Sequence, residues 1–318
     1  MRLFCFGLGY SAKRFVALHG ARFEAIAGTV RNAERAAALS RDGFGGHPVA
    51  ALAFDGTKAT PGIAEALTTA DVVLASAPPG ANGDPALAQF AAAIAASRIS
   101  TVVYLSTIGV YGDSGGAWVD EATPARPDSA RSRARLAAEQ AWAALSAPNR
   151  NVAILRLPGI YGPGRNALHD IAAGRARRIV KPGHVFNRAH VDDIAAAIMA
   201  VIDRRYDGIV NVADDEPAPS ADPVAFAATL MGRTAPPEIP FAIASRDMSP
   251  MALSFWAAHR RVSNARLKAE LGVTLTFPTY REGLTALHLA GEGLAGEGLA
   301  GEGLAGEGLA GEGGAGAT

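Results

Sequence analysis

The chain has 318 residues, 49% hydrophobic and 19% charged, with 30 basic residues balancing 30 acidic ones. That length suits one large α/β unit or two small domains, and the charge balance argues against a nucleic-acid partner. No apolar stretch approaches the roughly 20 residues of a membrane span, the opening Met-Arg-Leu-Phe leaves no room for a signal peptide, and a lone cysteine, Cys5, cannot form an internal disulfide, so the sequence predicts a cytoplasmic protein with no membrane partner.

A first strand is predicted over Leu3–Phe6. It breaks into Gly7-x-Gly9-x-x-Ala12, and a helical pattern follows with Phe15, Val16 and Leu18 on one side. Strand, glycine turn and helix in that order place a dinucleotide pyrophosphate on a helix N-terminus. Gly7 permits the tight turn, Gly9 admits the phosphates to the backbone, and Ala12 lets helix and strand pack closely. Tyr10 and Ser11 open the helix and complete the expected cradle.

Further strands are predicted at Phe23–Thr29, Val49–Phe54, Val72–Ser76 and Val102–Ser106, with alanine-rich helices such as Asn32–Ser40 and Pro85–Ser97 between them. Short apolar strands alternating with helices imply a parallel sheet covered on both faces. Two more strands are expected at Val152–Leu157 and Ile209–Val212. The predicted fold class is therefore α/β, a doubly wound Rossmann domain with a smaller interleaved α/β substrate lobe. Residues 1–157 form the Rossmann core, to which 189–213 return, and residues 158–188 and 214–288 form the lobe. From Leu289 the chain repeats Leu-Ala-Gly-Glu-Gly five times, with no basic residue to the end. Two glycines per repeat and a five-residue period fit neither helix nor strand, so residues 289–318 are expected to be a disordered tail that buries almost nothing.

Four blocks in consistent order carry a resemblance. They are the glycine turn, Tyr104-Leu-Ser-Thr-Ile-Gly-Val-Tyr-Gly112, Arg156-Leu-Pro-Gly-Ile-Tyr161-Gly-Pro, and Phe186-Asn-Arg-Ala-His190-Val-Asp192-Asp193, with Arg261–Gly272 similar to a C-terminal helix. Over residues 1–288 the chain resembles the extended short-chain dehydrogenase/reductase family, the NAD-dependent epimerase/dehydratase group. The resemblance implies a Ser or Thr that bonds the substrate oxygen, a Tyr acid/base, and a Lys four residues later that lowers the Tyr pKa. Thr107 fills the first place. Arg131 stands for the Tyr and Arg135 for the Lys, so the chain is expected to join an atypical branch lacking the Tyr-x-x-x-Lys pair. Arginine stays protonated and cannot exchange a proton near neutral pH. Ile108-Gly109 stands where family dehydratases carry Asp-Glu. A proton would then come from Tyr111, Tyr161, His190, Asp113 or Glu121. For the tyrosines packing is the alternative, and for His190 and Asp192-Asp193 it is holding a loop and capping a helix over Ile194–Ile202.

NAD-preferring sites place a carboxylate at the end of the second strand. Here Ala27-Gly-Thr-Val-Arg31-Asn32 holds none, and the Arg31 guanidinium suits a 2′-phosphate, so NADP is the predicted cofactor, with NAD the alternative. The resemblance assigns Asp55 to the adenine side, and Ala77 and Pro78 to the turn that passes the cofactor. Arg165, Arg175, Arg177, Arg178, Lys181 and Arg188 gather in the expected substrate region, where family members acting on nucleotide sugars use such residues on the diphosphate. A solvated helix face would show the same pattern. No metal set is predicted, since the seven histidines are scattered and thiolates are lacking. The sequence thus points to an NAD(P)-dependent oxidoreductase or epimerase-like enzyme for a small, anionic or sugar-derived substrate. A catalytically inactive NAD(P)-binding sensor is the alternative.

Overall fold

The computed structural model describes residues 1–80 and 82–293. Its centre is a seven-stranded parallel sheet. The first five strands are β1 (Arg2–Phe6), β2 (Ala25–Val30), β3 (Ala50–Ala53), β4 (Val72–Ala75) and β5 (Thr101–Thr107), joined by Asn151–Leu157 and Gly208–Asn211. Their order across the sheet is Gly208–Asn211, Asn151–Leu157, β5, β4, β1, β2, β3. The chain therefore reverses direction at β1, which has β2 on one side and β4 on the other, and opens a crevice at their carboxyl ends.

Both faces of the sheet are buried because successive side chains alternate. Leu3 and Cys5 of β1, Val72 and Leu74 of β4, and Val103 and Leu105 of β5 face α1 (Tyr10–His19), α2 (Ala33–Asp42) and the helix Val191–Arg204. Phe4, Phe6, Val73, Val102 and Tyr104 face α3 (Pro61–Thr69), α4 (Pro85–Ala96) and α5 (Ala130–Ala143). The Arg14 guanidinium clasps the Asp192 carboxylate through Nε and Nη2 at 2.6 and 2.8 Å, joining α1 to Val191–Arg204. The fold class is the doubly wound α/β arrangement expected from the sequence. Among the described residues no helix is long and apolar enough to cross a membrane.

The later segments build short parallel pairs beyond the sheet's carboxyl edge: Gly159–Tyr161 with Arg188–His190, Arg178–Val180 with Glu238–Pro240, and Trp118–Val119 with Arg261–Val262. The helix expected at Ile194–Ile202 starts at Val191 instead, and its cap is His190, whose Nδ1 accepts from the Asp192 amide. Asp193 serves the loop, accepting from the Thr276 and Phe277 amides. The last helix runs Tyr280–Leu289 behind a capping box of Thr279 and Glu282, and so takes in the first residue of the repeats. Most of the expected tail, residues 294–318, lies outside the described residues. Glu292 lies within them, and its carboxylate accepts from the Gly164 amide at 2.8 Å and from Asn166 Nδ2 at 3.2 Å.

Candidate functional site

The glycine turn sits at the carboxyl end of β1, at the point where the sheet order reverses. Gly7 has φ +91°, and a Cβ there would lie 3.1 Å from the Ala77 amide nitrogen, so only glycine fits. The turn is clamped from both sides. The Gly7 amide donates to Thr29 Oγ1, the Leu8 amide donates to the Thr29 carbonyl, and Ser76 Oγ donates to the Gly7 carbonyl at 2.6 Å. At Gly9 the space is open, and among the described residues no heavy atom lies within 4 Å of an added Cβ. Gly9 is the N-cap of α1 and supplies no side chain, so the first-turn amides of Tyr10, Ser11 and Ala12 face the opening without a capping group. Such a cradle of backbone donors at the positive end of a helix suits an anion.

The remaining expected cofactor residues gather on the same edge. Val30 pairs with Ala53, which puts Arg31 and Asp55 just beyond neighbouring strand ends. Arg31 is exposed and directly precedes Asn32, the N-cap of α2. Asp55 is exposed, accepts from the amide and hydroxyl of Thr57, and is held below the usual carboxylate range by those bonds. Ala77 and Pro78 follow β4 beside Gly7, the Ala77 amide donating to the Phe6 carbonyl.

Thr107 ends β5 two strands away. Its Oγ1 accepts from the Gly109 amide at 3.1 Å, which leaves the hydroxyl hydrogen free to donate to a ligand. Arg131 and Arg135 lie one turn apart on α5. Arg131 is exposed. Arg135 is turned onto the strand, donating to the Tyr104 hydroxyl at 3.0 Å and the Leu105 carbonyl at 3.2 Å.

The proposed replacement acids and bases are engaged elsewhere. Tyr111 donates to Asn211 Oδ1 at 2.9 Å and Tyr161 to the Thr279 carbonyl, and burial raises the pKa of both. His190 is buried, which pushes its pKa down to about 4. Asp113 accepts from the His259 and Gly115 amides, and Glu121 from the Asn211 amide. The tyrosines are packed, His190 caps its helix, and the two carboxylates hold backbone amides.

Sequence reasoning did not find the ion pair below Thr107. Glu139, one turn beyond Arg135, meets Arg156 at 2.8 Å with both side chains almost fully buried, and accepts from Ser106 Oγ. Strand alternation explains the meeting, because Ser106 and Arg156 point to the α5 face.

A cavity of about 320 Å³ opens between the strand Gly159–Tyr161, the segment 165–177 and the helices Ala221–Leu230 and Tyr280–Leu289. Arg165, Arg175, Arg177 and Arg188 line it together with Ser220 and Tyr280. Arg188 donates to the Phe186, Ala218 and Pro219 carbonyls, and Arg175 pairs with Asp170. Arg165 lies over the ring of Tyr10, 5.7 Å from its centroid, and so spans the two regions. The other two cations of the expected group do not join. Arg178 pairs with Glu238 at 2.6 Å across its strand pair, where alternation turns it away from Arg177, and Lys181 donates to the Trp256 carbonyl.

Residues 86–213 match the family model described as NAD dependent epimerase/dehydratase. A conserved protein of unknown function from Silicibacter pomeroyi is 41% identical, with a TM-score of 0.79 over 92% of this chain and 99% of that one. The chain belongs to the NAD-dependent epimerase/dehydratase family. The 3-diazoavenalumate denitrifying reductase of Streptomyces is 31% identical over 137 residues, 41% of this chain and 45% of that protein. The chain spans about half the length of the curated relatives it matches. The human epimerase family protein SDR39U1, in a structure with NADPH, shares the fold of this family with a TM-score of 0.68 at 17% identity, over 90% of this chain and 98% of that one.

Proposed function

We propose that the protein is an NAD(P)-dependent oxidoreductase, of the reductase or epimerase-like type, acting on a small anionic carbonyl or alcohol substrate without the family's Tyr-x-x-x-Lys pair. The observation that carries this reading is the clamped glycine turn, with uncapped helix amides and open space above Gly9 at the reversal of the sheet. Family membership, the reductase name of the Streptomyces relative and the NADPH in the human structure support it. Arg31 beyond β2, with no carboxylate between Ala27 and Asn32, favours NADP over NAD.

When bound, the nicotinamide supplies or takes up the hydride. The chain's own groups do the rest. Amides of Tyr10, Ser11 and Ala12 hold the pyrophosphate, and Arg31 holds the 2′-phosphate. Thr107 donates its free hydroxyl hydrogen to the substrate oxygen, and the arginine-lined cavity takes the substrate's anionic end. The proton that balances the hydride is taken from solvent.

Identification of the nucleotide that purifies with the protein, followed by NADPH oxidation against a panel of carboxylate- and phosphate-bearing carbonyl compounds, tests the reading. Arg31→Ala is expected to weaken NADPH by about 10–100-fold, the loss of one charge-assisted contact, and to leave NADH nearly unchanged. Equal losses for the two cofactors contradict the NADP assignment. The engagement of Tyr111, Tyr161 and His190 in packing favours a second reading, an NAD(P)-binding sensor. Tight cofactor binding with no turnover across the panel would support it.

A further inference from the structure

The turn Gly162-Pro163-Gly164-Arg165 closes with reciprocal bonds between Gly162 and Arg165, both 3.0 Å. Proline at its second position and φ +69° at Gly164 make it a type II turn. Types I and II differ by a flip of the central peptide, here Pro163–Gly164. Both polar groups of that one peptide are held. Its carbonyl accepts from the Tyr10 hydroxyl at 3.1 Å, and its N–H donates to Glu292 at 2.8 Å.

We propose that Glu292, the first glutamate of the C-terminal repeats, is a positioning residue of the ligand site, which with Tyr10 fixes the central peptide of this turn and so holds Arg165 between the glycine turn and the cationic cavity. The reading rests on that cavity being the anion-accepting site. Three further observations support it. The second carboxylate oxygen of Glu292 takes Asn166 Nδ2, and that same amide nitrogen donates to the Gly162 carbonyl, so the start of the turn is tied to the same group. Asn166 Oδ1 caps the following helix at His169, which fixes the residue after Arg165 as well. A Cβ at Gly293 would lie 3.0 Å from Leu168 Cβ, so the chain just past Glu292 is seated against that helix. A repeat that looks like filler thus contributes its first carboxylate to the wall that carries Arg165.

The test uses the full chain as wild type, Glu292→Ala, Glu292→Gln, Arg165→Ala and the Glu292→Ala/Arg165→Ala double variant. Inorganic pyrophosphate is titrated calorimetrically into the NADPH-saturated protein. Arg165→Ala and Glu292→Ala are each expected to weaken pyrophosphate about tenfold, and the double variant is expected to be no weaker than Arg165→Ala. Glu292→Gln keeps an acceptor for the Gly164 amide and is expected to recover most of the affinity; Tyr10→Phe, which frees the Pro163 carbonyl of the same peptide, is expected to weaken pyrophosphate likewise and carries the test if Glu292→Ala does not fold. Wild-type affinity in both Glu292 variants, or losses that add in the double variant, overturns the proposal while Arg165→Ala upholds the cavity. No binding by the wild type, or no effect of Arg165→Ala, removes the cavity reading and the proposal with it.

Discussion

The Arg135 guanidinium is bonded to the hydroxyl of Tyr104, Nη1 to Oη 3.0 Å apart. The charge that the resemblance places at the family's lysine position is therefore pinned to the end of β5, and the Tyr104 phenol, pushed up to about 12 by burial, stays protonated and is no base. If Arg131 stands where the family carries its tyrosine, as the resemblance implies, the loss of general acid catalysis there costs about 10²–10⁴-fold. Near inactivity toward simple ketones and secondary alcohols is expected. Arg131→Tyr with Arg135→Lys is expected to raise NADPH-dependent turnover of such ketones at least about tenfold. Robust wild-type turnover that survives Arg131→Ala contradicts this.

The buried pair Glu139–Arg156 is predicted to be indispensable for stability. Glu139→Ala leaves the Arg156 charge without its partner at 4% side-chain exposure, a loss of about 3–5 kcal/mol, or roughly 10 °C in melting temperature. Glu139→Gln keeps an acceptor for Ser106 and is expected to lose less. A shift under about 2 °C in Glu139→Ala, by calorimetry, contradicts the assignment.

Two truncations separate the repeats. A chain ending at Gly293 is expected to melt within about a degree of full length. One ending at His288 loses the Glu292 bonds to Gly164 and Asn166 and is expected to lose about 1–3 kcal/mol. Identical melting of the two chains contradicts the seating of Glu292.

Stability is expected to fall in acid. Burial holds His190 and His184 neutral and pushes both down to about 4, from an ordinary value of 6.5. The unfolded chain therefore binds more protons between those values, and stability rises with pH. The histidine contribution is fully present above pH 6.5 and is lost as pH falls toward 4. His190→Asn retains a side-chain acceptor for the Asp192 amide and is expected to flatten this limb. Urea midpoints at pH 4.5, 5.5 and 7 check it, and an unchanged slope in the variant contradicts it.

The alternation of strands and helices, the glycine turn and the strand ends carrying Arg31, Asp55 and Thr107 were legible because local pattern decides them. Four of the six cations expected near the substrate do share one cavity. Arg178 and Lys181 do not, because strand alternation and the Trp256 carbonyl are tertiary facts. Glu139 with Arg156 was hidden because α5 and Asn151–Leu157 meet only through the sheet. Glu292 was hidden by its repeat, whose copies look alike until one of them meets the Gly162–Arg165 turn. Within the Phe186–Asp193 block, Asn187 was the unused signal. Asn187 joins three segments through Gly159, Arg260 and Val262, and Arg260 in turn grips the Ile108 and Gly112 carbonyls beside Thr107.

The most direct test is calorimetric titration of NADPH into the wild type and Gly9→Val. Gly9 has φ −88° and open space around it, so the fold accepts valine there, and the variant is expected to melt like the wild type. Its methyls occupy the volume assigned to the pyrophosphate, so NADPH binding is expected to vanish. Normal NADPH affinity in a folded Gly9→Val protein contradicts the account.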